Sequence, residues 1–382
     1  MKILYVVKTN EGAGWAYRQA RWIIENTQDV EFVIAMPSDT GGFADQYKEL
    51  GCKVIAYDMS LPVSRPWSFF RKRKEILQIV ENENPDMIHS HFVTTTFMLR
   101  LALGKHSPKR IFQVPGPLHL ENPFFKWFDK ASIGEKDYLV GTCTWTSDTY
   151  KQMGVPTDRV FMCYYGGGDG KIHSFTTNKL REEYHIPNET PLVGMVSFFY
   201  APKYYLGQFV GLKGHEDYIK AMKIVREKIP AAKGVVVGSA WGKKAQKYEQ
   251  RVRKYAEKVC PGGIIFTGFR NDVAEIYHEF NVAVHPSHSE NLGGAGESLS
   301  HGAPTVSTNV GGFPDLVING VTGWTVDKKS PKQLADRIIW VLEHQEEALQ
   351  MMRVGAERVI ELTALPVTAA KMLEIYRHIA QL

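Results

Sequence analysis

Cysteine is scarce in this 382-residue chain. Cys52, Cys143, Cys163 and Cys260 lie far apart, with no CxxC pair and no histidine at metal-ligand spacing. That excludes a zinc cluster and a disulfide scaffold, and fits reduced thiols in a cytoplasmic protein. Long apolar runs are missing as well. The opening run, Ile3–Val7, is too short for a signal h-region, and no stretch of 18 apolar residues exists for a membrane span. Charge of one sign is only weakly in excess: 46 Lys+Arg against 41 Asp+Glu. Such a balance does not mark a nucleic-acid binder, though it suits anionic small molecules or an anionic membrane surface. Three motifs are absent too. No GxGxxG follows the first strand, Gly238-Ser-Ala-Trp-Gly-Lys-Lys244 lacks the spacing and hydroxyl of a Walker A loop, and DxD occurs nowhere. Dinucleotide redox chemistry, P-loop chemistry and a metal-bridged diphosphate all lose their usual signatures.

What is present is average globular composition at a length that calls for two domains. Short Val/Ile-rich runs alternate with amphipathic stretches. In the first half the runs are Ile3–Val7, Val30–Ala35, Lys53–Tyr57, Met87–Ser90, Arg110–Val114 and Tyr138–Gly141, with helical patterns at Ala16–Asn26, Phe70–Val80 and Thr96–Leu103. In the second half they are Leu192–Val196, Gly234–Val237, Ile264–Thr267, Val282–Pro286 and Thr305–Ser307, with helices at Glu216–Glu227, Lys244–Val259 and Pro331–Glu343. Runs apolar on both faces are strands of a parallel sheet covered on both sides. The expected fold class is α/β, with two doubly wound Rossmann-like domains in succession. The boundary falls in the glycine cluster around 165–174, giving domains 1–170 and 171–365. A final helix at about 366–382 has no strand of its own and is free to return to the first domain.

Lys8-Thr-Asn-Glu-Gly12-Ala13-Gly14 ends the first strand and opens a helix, so a ligand can approach its backbone there. The denser signal is Val284–Gly312. Gly293, Gly294 and Gly296 leave N–H groups accessible at a helix start, a seat for a diphosphate. Glu290 and Glu297 flank that seat. Carboxylates repel phosphate but accept hydrogen bonds in pairs from vicinal hydroxyls, so their partners are sugar and ribose. Diphosphate between two polyols describes a nucleotide sugar. Lys213, between Gly211 and Gly214 at another helix start, suits the charge of a departing diphosphate. An aromatic-rich loop, Ser197–Lys213, follows a strand where α/β sheets place ligands.

Ser287–Gly302 with Thr308–Gly312 resembles the donor signature of retaining glycosyltransferase family four, whose members have the GT-B fold. The likeness extends to Leu212-Lys-Gly-His-Glu-Asp217, Phe266-Thr-Gly-Phe-Arg-Asn-Asp272 and Asn319-Gly-Val-Thr-Gly323. It touches Asp86-Met-Ile-His-Ser-His91 and Gly116-Pro-Leu-His119 more weakly. One departure is the glutamate spacing. The family separates its two glutamates by seven residues and this chain by six, so either the loop is one residue shorter or Ser289 holds the usual first position.

The resemblance implies two Rossmann-like domains facing a central cleft and transfer of a hexose-type sugar with retention, as in polysaccharide biosynthesis. It implies donor contacts at Gly12, Lys203, Lys213, Glu290, Asn291, Leu292, Gly293, Gly294 and Glu297, with Glu297 on the ribose. Lys203 stands where the family carries an arginine. Glu290, His119 and Lys213 would serve the reaction, and Gly12, Ala13 and Gly14 would line the acceptor side. No metal or other cofactor is expected beyond the nucleotide-sugar co-substrate. The expected acceptor is a glycan, a lipid-linked carrier or a small molecule. Two rival readings stand beside this one: a sugar-nucleotide 2-epimerase of the same fold, and a non-catalytic nucleotide-sugar-binding subunit.

Finally, Pro66-Trp-Ser-Phe-Phe-Arg-Lys-Arg-Lys74 and Asn122-Pro-Phe-Phe-Lys-Trp-Phe-Asp-Lys130 join aromatics to cations, the mixture that meets an anionic membrane surface. The expected location is therefore cytoplasmic and peripheral to a membrane's inner face. The alternative is that the aromatics belong to the core and the cations to a solvated face.

Overall fold

The computed structural model describes all residues except 105–107, 168–170, 173–176 and 205–207. It divides into two compact units, Met1–Gly170 with Leu362–Leu382, and Lys171–Glu361. The first holds β1 (Lys2–Val6), β2 (Glu31–Met36), β3 (Lys53–Ala56), β4 (Met87–Ser90), β5 (Lys109–Val114), β6 (Asp137–Gly141) and β7 (Val160–Met162). Their spatial order is β3-β2-β1-β4-β5-β6-β7, every pairing parallel. The second holds β8 (Leu192–Val196), β9 (Lys233–Val237), β10 (Ile264–Gly268), β11 (Val282–His285), β12 (Thr305–Thr308) and β13 (Trp324–Val326), in the order β10-β9-β8-β11-β12-β13, also parallel.

Side chains alternate across a strand, so a doubly apolar strand feeds two cores. On β1, Ile3 and Tyr5 face one core with the helices Gly14–Asn26 and Leu365–Gln381. Leu4 and Val6 face the other, with the helices Phe69–Glu83 and Val93–Leu103. In the second unit, Val193 and Met195 of β8 share a core with the helices His215–Lys228 and Lys243–Val259. Leu192 lies in the opposite one with Tyr277 and Phe280. Both sheets reverse winding direction beside their first strand, which opens a crevice at the carboxyl ends where ligands bind in this architecture.

The last helix packs on the first sheet. Ala369, Met372, Ile375, Tyr376 and Ile379 are buried with Ile3, Tyr5 and Phe32, and the Tyr376 hydroxyl meets His89 Nδ1. Lys109 Nζ donates to the carbonyl of Ile379 at 2.7 Å, and Arg377 pairs with Asp29.

Candidate functional site

The second unit's site grows from the carboxyl ends of β8, β11 and β12. Lys213 ends a loop that turns into the helix His215–Lys228 through Gly214, whose φ is +74°. A Cβ at Gly214 would lie 2.0 Å from the Pro286 carbonyl oxygen, so only glycine lets this helix start sit against the exit of β11. Two further bonds tie the loops together. The His288 amide donates to the Leu212 carbonyl at 2.8 Å, and His288 Nε2 meets Asp217 Oδ2 at 2.7 Å.

That closure brings Lys213 to Glu290, across 77 positions of sequence, as a largely buried ion pair. Glu290 also accepts from Ser287 Oγ at 3.4 Å and from the Asn291 amide at 3.2 Å. The Lys213 ammonium lies 5.7 Å from the centre of the Tyr200 ring. Burial alone would lower its pKa, but the Glu290 carboxylate outweighs that and the net shift is upward. Lys213 is a fixed cation. His215 and His285 are pushed down to about 3, chiefly by burial and then by Lys213, so both rings are neutral. His285 Nε2 bonds Ser298 Oγ at 2.9 Å, and its ring leaves no space for a Cβ at Gly294, which would come within 2.7 Å.

The helix Gly293–Ser300 starts with no side-chain cap, so its first N–H groups are offered outward. Gly293 has φ +27°, and its missing side chain leaves room for the Glu290 carboxylate. Glu297 rides on the same helix. It is exposed to water and, among the described residues, its carboxylate accepts no hydrogen bond. Crowding by protein nonetheless raises its pKa; Lys213 opposes the shift and Glu290 adds to it. Asn291 is half-buried and Leu292 buried, so the backbone between the two glutamates runs along the seat. Ser289 is buried, and Glu290 is the residue that faces Lys213.

Phe198, Tyr200, Trp241 and Phe269 follow β8, β9 and β10 and form an aromatic shelf: Trp241 meets Phe198 at 4.9 Å and Tyr200 at 6.0 Å, and Phe269 stacks on Phe198 at 6.3 Å. Trp241 and Phe269 are mostly exposed. The sequence reading did not single them out, although a large aromatic one to four residues past a parallel strand is a detectable sign. Lys203 is exposed, in the loop whose residues 205–207 lie outside the described ones. Its amide donates to Gln208 Oε1 at 3.3 Å.

The remaining candidates belong to the first unit. Gly12 has φ +74° and open space around it, Ala13 is buried, and Gly14 starts the helix Gly14–Asn26 against the Phe43 ring. His119 is buried, and its Nε2 lies 3.1 Å from Asp129 Oδ2 and 3.3 Å from the Tyr150 hydroxyl. Asp129 also holds Arg100, so the structure places His119 in a buried charge network. His89 and His91 are core residues bonded to Tyr376 and Tyr165 and edge-packed on Tyr5. Among the described residues no group of three His, Cys, Asp or Glu side chains is arranged to hold a metal ion.

Set against known proteins, the two halves match two profiles: "Glycosyl transferase 4-like domain" over residues 12–166 and "Glycosyl transferases group 1" over residues 203–358. The capsular polysaccharide biosynthesis glycosyltransferase CapM of Staphylococcus aureus is 25% identical over 365 residues, covering 88% of this chain and 86% of that one. A D-inositol 3-phosphate glycosyltransferase of Corynebacterium glutamicum (strain R) is 27% identical, over 55% of this chain and 50% of that protein. Among solved structures, Anabaena HepE in complex with UDP superposes with a TM-score of 0.80 at 16% identity, covering 99% of this chain and all of that one.

Proposed function

The chain belongs to the family-four glycosyltransferases of GT-B fold, and from that premise we propose that it moves a hexose-type sugar, with retention, from a nucleoside-diphosphate sugar to a glycan or lipid-linked acceptor. The observation that carries this reading is the second unit's seat: an uncapped helix start, a fixed cation and two carboxylates of different burial within one loop system. The diphosphate takes the N–H groups of the helix Gly293–Ser300 together with Lys213. Glu297, accessible and without a partner of its own, accepts from the ribose diol. Glu290, anchored by Lys213, accepts from a hydroxyl of the transferred sugar. The aromatic shelf offers the base a stacking surface. As the glycosidic bond breaks, charge grows on the diphosphate beside a cation already in place, which is how preorganised electrostatics lower a barrier. No protein nucleophile is assigned; the departing phosphate takes the acceptor's proton. Gly12 of the first unit supplies open backbone on the acceptor side, with Ala13 and Gly14 shaping the turn behind it. Retention is tested directly by NMR of the first-formed product, whose anomer should match the donor's.

Glu297→Ala should weaken binding of the free nucleoside diphosphate by about 1.5–3 kcal/mol, the value of a charged hydrogen-bond partner. Titration calorimetry reads this, and unchanged affinity in a folded variant would take Glu297 off the ribose. Because the carboxylate is the better acceptor, wild-type affinity should also decline as pH falls through the raised Glu297 pKa.

Turnover should survive EDTA, since Lys213 and the helix start supply the counter-charge that a bridging metal would otherwise provide. Loss of activity on chelation, with rescue by Mg²⁺ or Mn²⁺, is the contrary result.

A further inference from the structure

The two aromatic–cationic segments of the first unit lie on neighbouring helices. The helix Val93–Leu103 packs between the helices Phe69–Glu83 and Pro123–Ser132. Ile76, Met98, Leu99 and Ala102 share one core, and Phe97 meets Phe128 edge-on at 4.7 Å. Each of these helices follows a parallel strand, so each begins at the carboxyl edge of the sheet. Trp67 and Phe70 stand at the start of one, and Phe124 and Trp127 at the start of another. Two such helices with one between them are about 20 Å apart. All four rings are on the outside: Trp67 and Phe70 are 78% exposed, Phe124 and Trp127 64%. These four are therefore not core residues, whereas Phe69, also expected at the membrane, packs onto the core, and Phe128 packs on Phe97.

Cations frame the rings. Phe70, Arg73 and Lys74 share a face at i, i+3 and i+4, and Trp127 and Lys130 do so at i and i+3. Arg71, Arg73, Lys74 and Lys130 are exposed and form no ion pair among the described residues. Lys72 is different, since it is turned inward onto Asp58 and the Ser60 carbonyl. The basic run therefore presents three cations outward, not four.

From this we infer that the carboxyl edge of the first sheet is a docking surface for an anionic lipid bilayer, with Trp67, Phe70, Phe124 and Trp127 entering the interface and Arg71, Arg73, Lys74 and Lys130 meeting the headgroups. Amphipathic rings at headgroup depth flanked by cations are the chemistry that such a surface recognises. No helix among the described residues is long and apolar enough to cross a membrane, so the contact is peripheral. Gly12–Gly14 leave β1 at the same edge, so docking sets the acceptor side toward the membrane. The assignment of that side rests on the reading proposed above; the docking surface itself does not.

Sedimentation with vesicles tests the surface. The full chain should sediment with phosphatidylcholine vesicles containing phosphatidylglycerol, and not with phosphatidylcholine alone. Binding should fade near 1 M salt, where the Debye length is about 3 Å. Each cation near the surface contributes about 1 kcal/mol, so Arg71→Ser/Arg73→Ser/Lys74→Ser should weaken binding on the order of 100-fold. Trp67→Ser/Trp127→Ser should weaken it at any salt. Both variants should bind nucleoside diphosphate like the wild type, because that seat lies in the second unit; a wild type that docks but binds no nucleotide would defeat the proposed activity and leave the docking surface standing. Wild type that ignores anionic vesicles at low salt, or variants that dock unchanged, overturns the inference. So does sedimentation velocity showing a dimer that Trp67→Ser/Trp127→Ser converts to monomer, since the rings would then face a second copy.

Discussion

Lys213→Met is expected to reduce sugar transfer by about 10²–10³-fold, the usual cost of removing one preorganised charge from a developing anion. The side chain has two tasks, and the variant separates them. Without donor it neutralises Glu290, which is only 15% exposed at its side chain. Leaving that carboxylate without its cation should cost on the order of 3 kcal/mol of stability. Among the described residues Glu290 would retain only the Ser287 hydroxyl and the Asn291 amide. Adding Glu290→Gln removes the stranded charge, so the double variant should regain most of the stability while staying inactive. Denaturant unfolding and initial-rate kinetics on the same preparations give both numbers. A single variant that turns over like wild type would exclude Lys213 from the diphosphate.

A loss of about 3–5 kcal/mol is expected for Arg100→Met, which leaves Asp129 without its charge partner at a fully buried site. Arg100 Nη1 lies 2.5 Å from Asp129 Oδ1, and Arg100 Nε lies 3.5 Å from Asp137 Oδ1, which Arg110 Nε also contacts at 2.7 Å. Burial would raise the Asp129 pKa, but Arg100 first, then His119 and Tyr150, hold it down to about 2. A carboxyl depressed in the fold contributes stability that is present above its unfolded value, near 3.9, and lost as pH falls through about 2. Without Arg100 that depression shrinks, so acid unfolding should begin at a higher pH. Urea midpoints measured between neutral and acidic pH would show both effects; a neutral-pH loss below ~1 kcal/mol would mean the network is not structural. The same network explains why His119, placed by its strand-end position among the catalytic candidates, has its Nε2 committed to Asp129.

The long, doubly buried strands were legible because both faces are apolar, a pattern only a covered parallel sheet requires. The two that escaped notice, β7 and β13, are three-residue edge strands, too short to show any period. Glu290, Glu297 and Lys213 could be picked out by residue type and neighbouring glycines, yet the pairing of Lys213 with Glu290 could not, because 77 positions separate them. The Arg71–Lys74 run shows the opposite difficulty. In one dimension its four cations are equivalent, and only the helix turn directs Lys72 onto Asp58. Trp241 and Phe269 went unseen because they leave β9 and β10, far in sequence from the aromatic loop after β8 on which they pack.

The return of the final helix to the first sheet has a consequence for how the chain is made. Residues 362–382 complete a hydrophobic core begun by Ile3 and Tyr5, so the whole second unit is synthesised before that core can close. At about 5–20 residues per second, the roughly 200 residues after Gly170 take on the order of 10–40 s to synthesise. For that interval one face of the nascent sheet, with Phe32, Tyr5 and His89, has the helix Gly14–Asn26 but lacks the rest of its cover, while the second unit can fold as it emerges. A premature stop within Leu365–Gln381 would therefore damage the first unit and leave the second with its own core complete.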